Sequence, residues 1–408
     1  MRVALPSSHP MSHIKLVAVD YKSGHCSVVA MDGRILTEQI SVPAERGLVS
    51  RCTFIPADSL MEIVAGGETI AMTIGTVLET ISVPVIYLDQ NHWIDFARWR
   101  RTPEALDAAK RPFFDLLAQA ATAERVIIPL SSAHLSESSK RGGPSRLELA
   151  ATMLQYSRGW QLRSVLGLRR AELRALFGGP PLVKQDVITL VPEAILDKTP
   201  DRTIGQELGP EVAGLIQRQV WATVLVSLLL DPEPDEDAGR EPATRWAMSF
   251  APLANHMRTN PKAKAWSRDL TRMRFFSDLG TDLPAAASES GMSPEQFGDW
   301  LLHDAEAAIL ATPGLGRLRE VLHLRLSNAD DKWEPNDLND WLHLSYAAGY
   351  CDLVLGEKKT INYLNRAAPT VAPGAVLHRR ASEAIADLTS LLTTTPTDEG
   401  PVACEALS

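Results

Sequence analysis

Residues 85–89, Val-Ile-Tyr-Leu-Asp, decide the fold class of this chain. Four consecutive apolar residues indicate a β-strand that is buried on both faces, as in a parallel sheet. The run ends at Asp89, and a helical pattern follows it. Residues 126–130, Val-Ile-Ile-Pro-Leu, repeat the apolar run ahead of a polar helix that carries Glu137. This strand–helix–strand–helix order predicts an α/β fold, a parallel sheet flanked by helices.

The segments around this core have other patterns. Short alternating runs with Asp32-Gly33 and Gly66-Gly67 turns predict an antiparallel β unit before Pro84. Residues 144–328 have mainly helical patterns, with an acidic loop at 231–242. The α/β pattern then returns, with a helix at 337–350 and a buried strand at 352–355. We therefore predict a β domain over 1–83, an α/β domain over 84–145 and 331–380, a helical insertion over 146–330, and a helix end with a disordered tail over 381–408.

Several shorter elements are predicted within these segments. Helices are expected over 105–123 and 211–230, one or two helices over 147–176, and a loop over 356–359 after the last strand. Ser293-Pro294-Glu295-Gln296 has the form of a capping box at the start of a helix.

Composition excludes some classes of protein. The chain has 408 residues, of which 45% are hydrophobic and 22% charged, and its four cysteines are scattered, which excludes a disulfide scaffold and a Cys-x-x-Cys zinc site. The first residues do not form a secretory signal, and the longest apolar run, 220–230, is too short to span a bilayer. We expect a soluble, cytoplasmic protein without a membrane partner.

Acidic residues recur where the predicted strands and their helices meet. They are Asp89, Glu137, Asp337, Asp340, Asp352 and Glu357. Side chains at the carboxyl ends of parallel strands converge in one crevice. Carboxylates that lie so close together need positive charge to offset their mutual repulsion. A site rich in oxygen ligands suits Mg²⁺ or Mn²⁺. The sequence therefore predicts a divalent metal site that could activate water against a phosphate.

Each of these residues also has a simpler interpretation. Asp337 could cap the helix that it opens, and Glu137 could be a solvated helical residue. Asp89 is harder to explain in this way, because a charge that abuts an apolar strand is costly unless it is paired. His92, His134 and His343 each lie three residues from an acid, but no spacing among them fixes a metal geometry.

The acidic segments resemble those of the PIN-domain nuclease family in their order and in their local sequence. The resemblance covers 85–91, 128–137 and 336–359, within 85–145 and 333–366. It implies a metal-dependent nuclease, most often one that cuts RNA. The metal ions would be held by Asp89, Glu137, one or both of Asp337 and Asp340, and Glu357, with Asp352 as an outer candidate. Spacing to the last strand favours Asp340 as the third acid, and Asp337 remains open, one helical turn away.

Two other functions stay open. Gln90 stands where the family has serine or threonine, and Leu355-Gly356-Glu357 replaces its Thr-x-Asp, so a degenerate module that binds RNA or protein without cutting is an alternative. A phosphatase of the haloacid-dehalogenase type is a second. That family requires Asp-x-Asp, and this chain has Asp89-Gln90-Asn91.

A nuclease also has to hold a polyanion, and the net charge is −9. The substrate-binding candidates are Asn91, Arg98, Arg101, Ser132, Lys140 and Lys358. Basic clusters also occur, with Trp99 within the first and Trp266 within the second: Arg98, Arg100, Arg101, Lys110, Arg111, Lys140 and Arg141, then Arg258, Lys262, Lys264, Arg268, Arg272 and Arg274. These tryptophans could stack on unpaired bases, although most tryptophans lie in cores and most basic runs are solvated.

The expected partner is therefore nucleic acid, most often RNA. The large additions around a small catalytic core suggest a dedicated target, or a toxin or defence nuclease that an inhibitory partner protein controls. Formation of a homo-oligomer is left open.

Overall fold

The computed structural model describes residues 10–41, 49–65, 68–74, 81–140, 142–196, 210–230, 240–328, 331–334 and 337–394. Its two larger sheets are one antiparallel and one parallel, which confirms the predicted mixed α/β class. The Gly66-Gly67 turn, Arg141, residues 231–239 of the predicted loop and the tail from residue 395 lie outside the described residues. None of the described helices is both long and apolar enough to cross a membrane.

The antiparallel sheet contains six strands in the order β3-β2-β1-β4-β5-β6. Their bounds are β1 Ile14–Asp20, β2 His25–Ala30, β3 Ile35–Ser41, β4 Val49–Ile55, β5 Leu60–Ala65 and β6 Glu68–Thr73. The predicted turn at Asp32-Gly33 joins β2 to β3, with Gly33 at φ +87°, a conformation that favours glycine. The predicted N-terminal antiparallel unit is therefore present.

The parallel sheet is built from distant parts of the chain. The remaining strands are β7 Ile86–Leu88, β8 Gln161–Leu162, β9 Ile188–Thr189, β10 Leu353–Leu355 and β11 Val376–His378. β10 lies between β7 and β11 and is parallel to both. The predicted strand at 126–130 is an extended segment with single parallel bridges at Ile127 and Leu130. Pro129 has no N–H to donate, so a continuous ladder cannot form there.

Seventeen helices are described. Their bounds are α1 Gln90–Arg101, α2 Arg111–Thr122, α3 Ser132–Ser139, α4 Gly143–Ser157, α5 Val165–Leu176, α6 Lys184–Val187, α7 Pro210–Leu230, α8 Arg240–Thr259, α9 Pro261–Ala265, α10 Ser267–Leu279, α11 Asp282–Glu289, α12 Pro294–His303, α13 Ala305–Leu310, α14 Pro313–Leu326, α15 Asp337–Tyr350, α16 Lys358–Ala367 and α17 Ile385–Thr394.

Most predicted helices are present, with shifted ends. The helix predicted over 105–123 begins only at Arg111, and the segment 147–176 forms two helices separated by β8. The capping box at Ser293 is confirmed, because Ser293 and Gln296 cap each other's backbone N–H. The loop predicted over 356–359 was wrong at its end, since Lys358 opens α16. Likewise, α8 begins at Arg240, inside the predicted loop at 231–242.

The hydrophobic cores do not follow the predicted domain boundaries. One core cluster joins the antiparallel sheet to α1, α2, α4 and α7, although α7 belongs to the predicted insertion. Gln219 on α7 donates hydrogen bonds to the carbonyls of Val17 and Cys52 at 3.2 and 3.1 Å. Helix α7 therefore covers one face of the N-terminal sheet.

A second core holds α14 against α15, the helix that carries Asp340. Glu172 on α5 accepts hydrogen bonds from the N–H groups of Gly314 and Leu315 and from the Tyr350 hydroxyl, each at 2.7 Å. Burial raises the pKa of Glu172. At Gly349 a Cβ atom would lie only 2.8 Å from the carbonyl group of Pro313. The position of α15 thus depends on close backbone packing.

We predict that Gly349→Ala destabilises the protein, because backbone atoms of Pro313 have to move. The expected loss is about 1–3 kcal/mol, the usual cost of overpacking. The matched control is Gly298→Ala, in the middle of α12, where a Cβ atom meets nothing within 4 Å. That change should stabilise by about 0.5–1 kcal/mol through helix propensity alone. Urea denaturation followed by circular dichroism measures both, and equal shifts would contradict the close packing of α14 and α15.

Candidate metal centre

The carboxyl edge of the parallel sheet positions the first acid. Asp89 follows β7 directly, and its N–H donates to the carbonyl of Leu355 at the end of β10 at 2.8 Å. Its side chain caps α1 by accepting a hydrogen bond from the N–H of Gln90 at 2.8 Å. Asp89 is only 8% exposed. A buried aspartate is thus fixed in orientation where two strands end.

Two helices bring further carboxylates to the same place. Glu137 lies on α3 and Asp340 on α15, and one carboxylate oxygen of each lies within 4.8 Å of the other and of one from Asp89. We call these three residues the carboxylate cluster. Oxygens that share one Mg²⁺ or Mn²⁺ ion at about 2.1 Å each lie up to about 4.2 Å apart. The separation is therefore close to that required around a single divalent ion.

Burial and mutual repulsion make the ionised form of the carboxylate cluster unfavourable. Burial, together with the charge of Glu357, raises the pKa of Asp89 to about 6. Burial, together with repulsion from Asp89, Glu357 and Glu137, raises the pKa of Asp340 to about 9. Among the described residues, neither Asp89 nor Asp340 forms an ion pair with lysine or arginine. Full ionisation of the cluster therefore requires a cation or costs stability.

Two buried histidines tie the supporting elements together. The N–H of Ser131 donates to His134 Nδ1 at 2.9 Å, so His134 Nε2 carries the proton that it donates to the carbonyl of Leu88 at 2.8 Å. His343 Nδ1 donates to the carbonyl of Asn339 at 2.8 Å, and its Nε2 accepts from Ser132 Oγ at 2.9 Å. These bonds link α3 to β7 and to α15.

Both rings are positioned as structural groups. Burial lowers the pKa of His134 to about 3 and of His343 to about 4, so both are neutral near pH 7. Each ring uses both nitrogens within the protein, which leaves none for a metal ion. His92 is also buried, and burial lowers its pKa to about 4. Its Nδ1 has no hydrogen-bond partner among the described residues.

The structure separates the six predicted acids into groups. Glu357 lies beside the carboxylate cluster, as its electrostatic effect on Asp89 and Asp340 shows, and its Oε1 accepts a hydrogen bond from Thr360 at 3.1 Å. It is not one of the three residues whose oxygens are mutually close. Glu357 is therefore an adjacent charge at the start of α16.

Asp337 has partners of its own. Its Oδ2 accepts from the N–H of Glu334 at 2.6 Å, and its Oδ1 lies 2.8 Å from Arg325 Nη1 and 3.7 Å from Lys359 Nζ. Arg325 is fully buried, 4.0 Å from the centre of the Trp341 ring. Asp337 thus opens α15 and compensates a buried arginine, and it lies outside the carboxylate cluster.

Asp352 lies at the opposite end of β10. Its carboxylate binds Lys184 Nζ at 2.8 and 2.7 Å and accepts from the N–H of Val85 at 2.7 Å. Because Asp352 precedes β10 and Glu357 follows it, the strand separates the two. Asp352 anchors the amino end of the sheet to α6.

Three substrate-binding candidates lie on first turns of helices that begin at this edge. Asn91 is exposed in α1, and Lys358 is exposed in α16 next to Glu357. Ser132 begins α3, with its hydroxyl committed to His343. Asn91 and Lys358 are therefore available to solvent beside the carboxylate cluster.

The other three candidates are less available. Arg101 Nη1 lies 2.6 Å from Glu148, and Arg98 Nη1 lies 3.6 Å from Asp95. Lys140 is half-buried. Local ion pairs therefore neutralise part of the positive charge around α1.

Sequence reasoning missed the supporting groups more than the acids. The bond between Ser132 and His343 joins residues 211 positions apart, and no local pattern marks it. The sequence contains one indication of the pair between Arg325 and Asp337. Arg325 stands between Leu324 and Leu326 in an apolar stretch, as a buried arginine that needs an acidic partner would. Gln90 is buried, donates to Ser138 Oγ at 3.1 Å and leaves its Oε1 without a partner among the described residues.

Comparison with family models, with curated proteins and with solved structures returned no match. The resemblance to the PIN-domain family therefore rests on the order of the acidic segments. What the geometry adds is the meeting of Asp89, Glu137 and Asp340 at one sheet edge.

We predict that Asp340→Asn raises the melting temperature of the metal-free protein at pH 7.5. The pKa of Asp340 is raised to about 9 in the folded state, above the ordinary value near 4, so stability falls as pH rises between these values, because the unfolded chain loses this proton while the folded protein keeps it. Asparagine removes this penalty, and the gain should shrink towards pH 5. Differential scanning calorimetry in EDTA at both pH values measures it.

Asp352→Asn is the matched control for this prediction. Asp352 pairs with Lys184, so the same substitution there should lower the melting temperature at pH 7.5. A melting temperature for Asp340→Asn that is equal to or below that of the wild type at pH 7.5 would contradict the strained state of the carboxylate cluster.

Proposed function

We propose that this protein is a metal-dependent nuclease that hydrolyses RNA phosphodiesters, with Mg²⁺ or Mn²⁺ held by Asp89, Glu137 and Asp340. The observation that carries the proposal is the carboxylate cluster itself, three oxygens within 4.8 Å of one another at the carboxyl edge of a parallel sheet. Oxygen donors suit hard ions such as Mg²⁺ and Mn²⁺. The resemblance to PIN-domain nucleases supports RNA as the substrate.

The fit to a divalent ion is supported by charge as well as by distance. The raised pKa values of Asp89 and Asp340 indicate negative charge that the described lysines and arginines do not offset. A divalent ion at this position would supply the missing positive charge and restore full ionisation. Glu357 would add a further carboxylate for a second ion or for bound water.

Helix termini support binding of a phosphate at the same edge. Asp89, Ser131 and Glu357 stand at the N-caps of α1, α3 and α16, so the positive ends of three helix dipoles converge there. N–H groups of a first turn bind phosphate oxygens well. Lys358 and Asn91, exposed on two of these turns, would orient the substrate phosphate.

The roles of the protein groups follow from this arrangement. Asp89, Glu137 and Asp340 would hold a Mg²⁺ or Mn²⁺ ion, which would supply a Lewis acid for the phosphoryl oxygen and for the activation of water. Asp89, locked by its cap to α1, sets the orientation of the donor set. The neutral His134 and His343 hold α3 and α15 so that Glu137 and Asp340 stay within reach of Asp89.

We predict that Asp89→Asn reduces RNA cleavage at least about 100-fold, which corresponds to about 2.7 kcal/mol in the barrier. Asparagine keeps the shape of the side chain and removes the charge that attracts the ion. Purified protein is incubated with labelled single-stranded RNA and 1 mM MnCl₂. This concentration is roughly 1,000 times a micromolar Kd, so a site of that affinity would be filled. Asp352→Asn should keep most of the activity, and undiminished cleavage by Asp89→Asn would refute the proposed metal site.

We also predict that Mn²⁺ raises the melting temperature of the EDTA-stripped wild-type protein by several degrees. An ion that binds only the folded state at 100 times its Kd stabilises by about 2.7 kcal/mol. Asp340→Asn should start from a higher melting temperature without metal and gain little from Mn²⁺. An unchanged wild-type melting temperature would instead favour the non-cutting, degenerate module.

A further inference from the structure

The two tryptophans within the basic clusters have opposite environments. Trp99 is partly buried, packs against the first core and donates from Nε1 to Asp115 at 2.9 Å. Trp266 is 64% exposed. An exposed indole of this size is uncommon on a folded surface, and it indicates a binding role more strongly than an exposed leucine does.

The exposure of Trp266 is built into ordered backbone. Trp266 stands between α9 and α10, its N–H donates to the carbonyl of Ala263 at 3.1 Å, and its carbonyl accepts from Leu270 at 3.0 Å. Ala263 is buried, and the side chain of Asn260 caps α9. The ring is thus presented by a fixed helix–helix joint.

Exposed cationic side chains stand close to Trp266 along the chain. Lys262 and Lys264 are exposed and have no ion-pair partner within the described part of the chain. Arg258 is exposed and donates to the neutral amide oxygen of Asn255 at 2.7 Å. By contrast, Arg268 is paired with Glu306 and Glu320. From residue 258 to residue 270, Asp269 is the one acid against four basic residues, so positive charge predominates along this segment.

We propose that Arg258, Lys262, Lys264, Trp266 and Met273, which we call the Trp266 surface, bind single-stranded RNA. The lysines and the arginine match the phosphates, and the exposed indole matches an unpaired base, on which aromatic rings stack regardless of base identity. Met273 is 64% exposed on α10, two helical turns after Trp266, and offers a second apolar contact. An acidic peptide would use the charges but would leave the ring without a partner.

The location of this surface indicates an accessory site for the proposed nuclease, and in this respect the inference rests on the proposed function. Helix α10 packs on α14, and α14 packs on α15, which carries Asp340. Two helix–helix distances of 8–10 Å separate the axes of α10 and α15 by up to about 20 Å. Only an RNA of several nucleotides could contact both, so the surface would select longer substrates.

The test measures binding without cleavage. Fluorescence anisotropy of a labelled uridine 20-mer is recorded in EDTA, in the Asp89→Asn background, so that loss of nuclease function does not enter. Trp266→Ala should weaken binding roughly 5- to 100-fold, the range for loss of one stacked base. Trp266→Phe should recover most of it. Lys262→Ala with Lys264→Ala should weaken binding and lower the salt dependence, by about 0.7 in log–log slope per lost phosphate contact.

Met273→Ala is the comparison within the Trp266 surface, because it removes an equally exposed apolar side chain, from α10, and should weaken binding less than Trp266→Ala. An unchanged Kd for Trp266→Ala, or tighter binding of polyglutamate than of the RNA, would overturn the inference. If the wild-type protein cleaves RNA, Trp266→Ala should raise KM for the 20-mer and leave a 4-mer unaffected. If it does not cleave, the anisotropy result still decides the inference.

Discussion

Repulsion between carboxylates is the constraint on which this structure depends. Asp89, Glu137 and Asp340 bring three oxygens within 4.8 Å of one another in a mostly buried place, and the charge of Glu357 adds to theirs. Such a group is stable only if protons or a cation offset its charge. The N-termini of α1 and α16, which begin directly after Asp89 and Glu357, offset part of it. A fold organised around this repulsion gains stability from the ion that it would bind.

The surrounding scaffold resists that repulsion by means of neutral hydrogen bonds. His134 joins α3 to the end of β7, and His343 joins α15 to Ser132 at the start of α3. Neutral rings add no charge, and burial keeps them neutral by lowering their pKa. Charged pairs stand further out, where Arg325 compensates Asp337 and Lys184 compensates Asp352. The two ion pairs thus fix the beginning of α15 and the amino end of β10 without neutralising the carboxylate cluster.

The helical insertion does more than cover the parallel sheet. Helix α7 supports the N-terminal antiparallel sheet through Gln219, and α14 holds α15 in place at Gly349. These contacts make the orientation of Asp340 dependent on residues far from it. The same insertion presents Trp266 on ordered backbone, which would combine a general site for unpaired RNA with the proposed hydrolytic centre.

The sequence by itself determined the elements that rest on local pattern: the apolar run before Asp89, the Asp32-Gly33 turn, the Ser293 cap and the helix at 337–350. Local pattern also indicated the acids at strand ends, and spacing favoured Asp340, but it left Asp337 and both ends of β10 open. The difference between these acids depends on which of them pairs with a basic side chain. Arg325 pairs with Asp337 and Lys184 with Asp352, and both basic residues come from distant segments. The same holds for tryptophan, because Trp99 and Trp266 both stand among basic residues and only packing decides which ring is covered. Tertiary structure decided these points because burial and charge compensation are properties of neighbours in space.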